Sequence, residues 1–201
     1  MGNHKKNDTV DAVIMASGAS SRFGGKNKLL ANFRGKPLAR NTLELAVGCG
    51  LFNRIFFVAC SAEVAALAED LPVTLIRNSQ SDLGQSESIR LGAAASEADH
   101  IIFLSCDQPL LDRATLECIT GARKEGFIVE PRVNGEAFGP CVFSRVFREE
   151  LCALPPGGMG RDVKKRHSAR IIAVEIKDPE RLLDTDNPEA LAKVIALSET
   201  L

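Results

Sequence analysis

An α/β architecture built on a mostly parallel sheet is predicted by three features of the chain. Apolar runs of strand length, rich in Val, Ile and Phe, alternate with segments whose apolar residues recur at helical spacing. Most of those runs lack polar alternation, as expected of strands covered on both faces. The chain's 201 residues, 45% hydrophobic and 25% charged, supply one full core and would be tight for two. The organisation read from these features is one domain over 1–201, with a polar leader over 1–9.

The strand-like runs are DAVIMAS (11–17), RIFFVAC (54–60), VTLIR (73–77), HIIFLS (100–105), FIVEP (127–131) and RIIAVEI (170–176). Helical spacing appears over 37–50, 61–71, 86–98, 113–126 and 187–199. Asn187 as N-cap with Pro188 at the first helical position marks the start of the last of these, and Asp112 is placed to cap the fourth. LPPGGMGRD (154–162) has no such periodicity and reads either as a loop at a functional site or as a plain surface turn.

Composition narrows the classes of function. A net charge of −1 offers no broad basic field, and the absence of Trp and Tyr removes most of the surface on which bases stack, so nucleic acid is not an expected partner. No apolar run approaches the ~18 residues of a membrane span, and MGNHKKNDTV lacks the apolar stretch of a signal peptide, so the expectation is a cytoplasmic protein. The six cysteines, at 49, 60, 106, 118, 141 and 152, include no C-x-x-C pair and read as buried free thiols.

Three stretches carry chemistry. The first strand feeds SGASSRFGGKNK, a Gly/Ser turn that would present backbone N–H groups at the C-terminal edge of the sheet, with cations added. It is not a P-loop, because Gly25-Lys26 is followed by Asn27. Nor is it a dinucleotide fingerprint, because Ser20 and Phe23 stand where glycines are required. Gly18 would let the backbone approach a phosphate, with Arg22 and Lys28 supplying charge for a pyrophosphate group. A solvated loop with ordinary surface cations is the plainer alternative.

The second stretch, IIFLSCDQPLLD, ends a buried strand in Asp107, at the sheet edge where a hard cation bridging phosphates would sit. The third, RLLDTDNPEAL, places Asp184 and Asp186 one residue apart. A second metal ligand and capping of the last helix both account for that pair. The three histidines, at 4, 100 and 167, fall away from these stretches, so no general base is evident. None is needed if the acceptor is a phosphate monoester, already ionised near neutrality with a second pKa of ~6.

Taken in order, MASGASSRFGGKNKLL, NSQSDLGQSESIRLGAAA, FLSCDQPLL, NGEAFGPCVFS and LLDTDNPEAL resemble the nucleotidyltransferases that build dinucleotide forms of the molybdenum cofactor, above all the molybdenum cofactor cytidylyltransferases. The resemblance runs over nearly the whole chain. It implies a Rossmann-like three-layer sandwich of the nucleotide-diphospho-sugar transferase type, and transfer of CMP from CTP to molybdenum-loaded molybdopterin with Mg²⁺ as cofactor. It places Ala16, Ser17, Gly18, Ser20, Ser21 and Arg22 around the nucleotide, Lys28 on the triphosphate, and Asp107 and Asp186 on Mg²⁺. It assigns Asn78 to the segment beside base and ribose, Gln85, Ser86 and Ser88 to the stretch after it, and Gly139-Pro140 to a turn facing the pterin. The implied partners are CTP or GTP, molybdopterin, and transiently a molybdenum hydroxylase or its accessory protein.

The chain departs from that pattern in three places. Ala16-Ser17-Gly18 stands where Ala-Ala-Gly or Ala-Gly-Gly is commoner. One extra residue between Arg22 and Lys28 makes Lys26 a rival for the phosphate lysine. Gly158 stands where an acid is usual in a Gly-Asp-x-Gly loop. Gln108, where the guanylyl branch tends to carry Met, leans toward the cytidylyl branch. Guanylyl transfer, nucleotidyl transfer to a sugar or polyol phosphate, and a non-catalytic carrier of the cofactor are the alternative readings.

Overall fold

The β-branched and aromatic residues of the central runs form strands because those side chains pack well on a pleated surface. A computed structural model describes residues 8–18, 23 and 27–200. The main sheet contains β1 (Val10–Ala16), β4 (Ile55–Ala59), β5 (Thr74–Arg77), β6 (His100–Ser105), β7 (Ile128–Val133), β8 (Glu136–Ala137), β9 (Cys141–Ser144) and β10 (Ile171–Glu175), in spatial order β10-β7-β9-β6-β1-β4-β5 with β8 paired to β7. A separate antiparallel hairpin joins β2 (Asn32–Phe33) to β3 (Lys36–Pro37).

Seven helices complete the described chain: α1 (Leu38–Gly48), α2 (Ala62–Ala66), α3 (Gln85–Ala95), α4 (Arg113–Gly121), α5 (Arg148–Cys152), α6 (Gly160–Arg166) and α7 (Pro188–Ser198). Alternate residues of each central strand serve opposite faces of the sheet. Ala12, Ile14 and Ala16 of β1 face a core with Leu43 of α1, Val64 of α2 and Leu116 of α4. Val13 faces the other core, with Ile89 of α3, Leu151 of α5 and Val163 of α6. That is the three-layer α/β sandwich expected. At one position the layers touch directly: a Cβ on Gly92 of α3 would lie 2.3 Å from Val13 Cγ1, so only glycine fits. The last helix closes a third cluster, with Leu191 and Val194 against Phe33 and Leu38.

The sheet is parallel except for β8 and β9. The chain runs outward from β1 through β4 to β5, then returns to the opposite side of β1 as β6. The order therefore reverses between β1 and β6, and in open α/β sheets ligands bind outside the carboxyl ends of the strands at such a point.

Several expectations need correction. The strand β9 was not predicted: four residues, Cys141–Ser144, are too few to show a period, yet they insert antiparallel between β6 and β7. Coverage on both faces holds for β1, β4 and β6 but not for the edge strands β5 and β10, whose residues are largely half-buried or exposed. The helix expected over 61–71 stops at Ala66. Arg40 takes the Leu67 carbonyl at 2.8 Å and the Asp70 carboxylate at 2.8 Å, holding that backbone in turns. The loop expected over 154–162 becomes helical at Gly160, and α5 and α6 are short elements, each anchored by one buried residue. All six cysteines are free, but only Cys49 and Cys106 are buried, and Cys60 and Cys118 are exposed. No helix among the described residues is long and apolar enough to cross a membrane.

Candidate active site

The site is assembled where β1 and β6 end. Ser17 follows β1 and donates its hydroxyl to the Val58 carbonyl at 3.1 Å, which ties the start of the glycine-rich run to β4. A Cβ on Gly18 would meet no atom of the described residues within 4 Å. Ser20, Ser21, Arg22 and the rival Lys26 lie outside the described residues. Lys28 stands in a 3-10 turn, Lys28–Leu30, that Asn27 caps by accepting from Leu29 N at 3.0 Å while Leu29 anchors in the core.

Asp107, just beyond β6, meets that lysine. Lys28 Nζ lies 3.0 Å from Asp107 Oδ2 and 3.5 Å from Asp186 Oδ1, so two carboxylates from distant parts of the chain converge on one cation. Ser105 donates to the other oxygen of Asp107. Thr185, fully buried, donates both its N–H (2.8 Å) and its hydroxyl (3.0 Å) to the Asp107 carbonyl, drawing residues 184–186 to the end of β6. The last helix is capped by Asn187, whose Oδ1 accepts from Ala190 N at 2.8 Å. The acidic pair is thus not needed for capping. Asp184 keeps contact with solvent, but desolvation, followed by the charges of Asp107 and Asp186, pushes its carboxyl up to about 6.

Two cavities meet at Asp107. The smaller, about 370 Å³, is lined by Ser17, Gly18, Lys28, Ser88 and the 81–85 segment. The larger, about 520 Å³, runs under β9 to Gly139, Pro140, Phe138 and the start of α6. Met15, Gln85, Ser105 and Asp107 line both. The arrangement can therefore hold two ligands with their reactive ends at one carboxylate.

Some expected residues do other work. Ala16 is wholly buried within β1. Asn78 is buried and donates to Ser88 Oγ at 3.3 Å while accepting from Gln80 N at 2.9 Å, so it shapes the loop and borders neither cavity. Ser86 donates to the Leu83 carbonyl at 2.9 Å on the side away from the site. Gln108 bonds the carbonyls of Gly139 (3.2 Å) and Leu182 (3.1 Å), which clamps the two loops flanking Asp107. Gly158 is explained sterically: a Cβ there would lie 2.9 Å from the Pro155 carbonyl oxygen, so the acid usual in this loop has no room. Asp162 instead accepts from Met159 N at 2.9 Å and starts α6.

Sequence reasoning missed Ser105, Thr185 and Lys164, and reached Arg161 only as part of the loop read over 154–162, whose Met159, Gly160 and Arg161 line the larger cavity. Ser105 sits two residues before Asp107 and was discoverable as its neighbour. Thr185, Arg161 and Lys164 reach the site only through tertiary packing.

Comparison with known proteins follows the same geometry. The sequence model described as the MobA-like NTP transferase domain matches residues 12–171. A probable molybdenum cofactor guanylyltransferase of Haloferax mediterranei is 28% identical over 130 residues, 61% of this chain and 59% of its own length. The chain thus spans about three fifths of that relative. A molybdenum cofactor guanylyltransferase of Ectopseudomonas mendocina is 27% identical over 187 residues, covering 90% of this chain and 89% of its own. Among solved structures, a nucleotidyl transferase from Methanothermobacter superposes with a TM-score of 0.86 at 20% identity, over 96% of this chain and 100% of its own. The Rv0371c protein of Mycobacterium tuberculosis H37Rv, in complex with manganese, gives 0.69 at 25% identity, over 94% and 98%.

Proposed function

The chain belongs to the MobA-like NTP transferase domain family, and from that premise we propose that it transfers a nucleoside monophosphate from CTP to the phosphate of molybdenum-loaded molybdopterin. The observation that carries this reading is the pair of cavities meeting at Asp107, one bordered by Gly18 and Lys28 and the other by Gly139-Pro140. The first takes the triphosphate and the second the acceptor.

In the proposed step, an ionised oxygen of the acceptor phosphate attacks the α-phosphorus of the nucleotide. A phosphoanhydride bond forms, the bond between the α-phosphorus and its bridge to the β-phosphate breaks, and pyrophosphate leaves. No proton has to be removed, and among the described residues no histidine lines either cavity, so catalysis rests on positioning and charge neutralisation. Lys28 supplies cationic charge to the triphosphate, with Arg22 assigned the same task from the sequence. Ser17 and Gly18 are proposed to meet the phosphates, a role the family resemblance also assigns to Ser20 and Ser21.

Asp107 and Asp186 are the proposed Mg²⁺ ligands. Among the described residues no three His, Cys, Asp or Glu side chains form a cage. Mg²⁺ at a nucleotide, however, is held by one or two carboxylates plus phosphate oxygens and water, and two carboxylates here already share one point of positive charge. The manganese complex of the Mycobacterium neighbour supports a divalent ion in this fold. When bound, Mg²⁺ would neutralise charge on the triphosphate and the departing pyrophosphate.

The names of the relatives favour a second reading, guanylyl transfer from GTP to the same acceptor. Gln108 supports the cytidylyl reading only indirectly, since its amide holds loops together. The deciding experiment is pyrophosphate release from CTP and from GTP with Mg²⁺, with and without molybdenum-loaded molybdopterin. Release that requires the pterin and is fastest with CTP is the expected result. Faster release with GTP replaces the base, and none with either nucleotide removes the transfer reading.

A further inference from the structure

The larger cavity has a basic wall that the transfer step does not use. Lys164 of α6 reaches over the sheet so that its Nζ lies 2.6 Å from Glu130 Oε2 and 3.5 Å from Cys141 Sγ. Glu130 is 3% exposed and already has a guanidinium partner, with Arg132 Nη2 and Nε at 3.1 and 3.2 Å from its Oε1. One carboxylate facing two cations leaves the group net positive. Arg161, one turn earlier on α6, lines the same cavity, is exposed, and makes no hydrogen bond or ion pair with another described residue. Neutralising Glu130 therefore does not require Lys164, and Arg161 neutralises no carboxylate among the described residues.

The position of this wall limits what it can touch. Glu130 lies on β7 and Cys141 on β9, whereas Asp107 follows β6, and the order across the sheet is β7-β9-β6. Lys164 stands over β7 and β9, one to two strand spacings or roughly 5–10 Å to the side of β6, and Cys141 pairs with Phe103, four residues before Asp107. A phosphate reacting at Asp107 is too small to span that gap, and the surface between is largely apolar, with Phe103, Phe138, Phe143 and Met159.

We infer that Lys164 and Arg161 form a second anchor for the acceptor, a subsite for an anionic group carried across an apolar body from the attacking phosphate. This inference rests on the assignment of the larger cavity to the acceptor. The acceptor class it specifies is a phosphomonoester with a second anion set apart from it across that apolar surface. Simple sugar or polyol monophosphates lack that second anion.

The test uses the full chain and molybdenum-loaded molybdopterin, with equilibrium binding of the pterin measured beside steady-state pyrophosphate release. Lys164→Met and Arg161→Ala are each expected to raise the Kd and KM for the pterin about tenfold, the scale of one lost charge-assisted contact, while the KM for nucleotide stays at the wild-type value. Lys164→Arg restores most of the affinity. Arg161 is exposed and makes no ion pair with another described residue, so its variant reports even if Lys164→Met folds poorly. Pterin affinity within twofold of wild type in both folded variants overturns the anchor. So does equally efficient turnover of a polyol monophosphate, which would leave nucleotidyl transfer itself intact. Pterin binding that depends on Lys164 and Arg161 but gives no pyrophosphate keeps the anchor and removes the transfer reading.

Discussion

Asp11 and Asp107 sit at opposite ends of the sheet and show how one side chain serves two purposes. Asp11, 1% exposed near the start of β1, accepts from Ser96 Oγ at 2.8 Å and Arg54 N at 3.0 Å, with Asn53 Nδ2 at 3.4 Å. Its donors are neutral, fixed and close-packed, and it lines neither of the two cavities. Asp107 is held by a serine two residues away and by a lysine 79 positions away, and it borders both cavities. A carboxylate surrounded by fixed neutral donors contributes stability, whereas one paired with a long, movable cation beside open space can exchange that partner for a ligand.

The largest effect that would sharpen this contrast is on rate. Asp107→Asn keeps the shape but is a poor ligand for a hard cation, so turnover should fall on the order of 10³-fold, with an unfolding midpoint close to wild type. Loss of the fold in that variant would place Asp107 with Asp11 as a structural group. Lys28→Ala should slow pyrophosphate release by about 10²-fold and also lower stability in metal-free buffer, because Asp107, Asp184 and Asp186 then face one another without the ammonium. Lys26→Ala should do much less, and the reverse order would reassign the phosphate lysine.

At the other end of the sheet, Asp11→Ala leaves buried donors unpaired. It should cost roughly 3 kcal/mol, about 10 °C in Tm for a chain this long, with kcat per folded molecule unchanged. A fall in kcat beyond the loss of folded protein would break the division of labour between the two ends.

The smallest effect belongs to Asp184. Its folded pKa of about 6 lies above the ordinary 3.8. Between those values the folded state binds more protons than the unfolded one, so stability falls as pH rises through this window and stays lowered above it. Asp184→Asn should therefore be neutral near pH 4 and stabilise the metal-free protein at pH 7.5, by on the order of 0.5 kcal/mol once its solvent contact is allowed for. Thermal unfolding with and without Mg²⁺ checks this, and the gain should vanish when the metal is present.

Much of this division was visible in the chain itself. The continuous apolar runs gave β1, β4 and β6 nearly to the residue, because strands buried on both faces leave a period-independent signature. Asn187-Pro188 and Asp112 announced their helices, because capping is a local interaction three residues long. The edge strands β5 and β10 were placed as closely by VTLIR (73–77) and RIIAVEI (170–176), whereas β9 and α5 were missed, since such short elements carry too few apolar positions to declare a period. The Asn134-Gly135 turn, with φ of 50° and 83°, closes the β7–β8 hairpin, which was not predicted.

The sequence by itself determined the alternation of strand and helix, the ends at which Gly18 and Asp107 emerge, and the run of residues by which the family is recognised. Those are properties of neighbours along the chain, where dihedral preference, capping and apolar period act. Only the tertiary structure decided that Lys28 stands between Asp107 and Asp186, that Thr185 draws the acidic pair to β6, that Gln108 clamps loops, and that β9 brings Cys141 and Glu130 under Lys164. Each of those depends on groups 23 to 158 positions apart, or on a strand inserted out of order, and side-chain reach across a packed sheet leaves no periodic trace in the sequence.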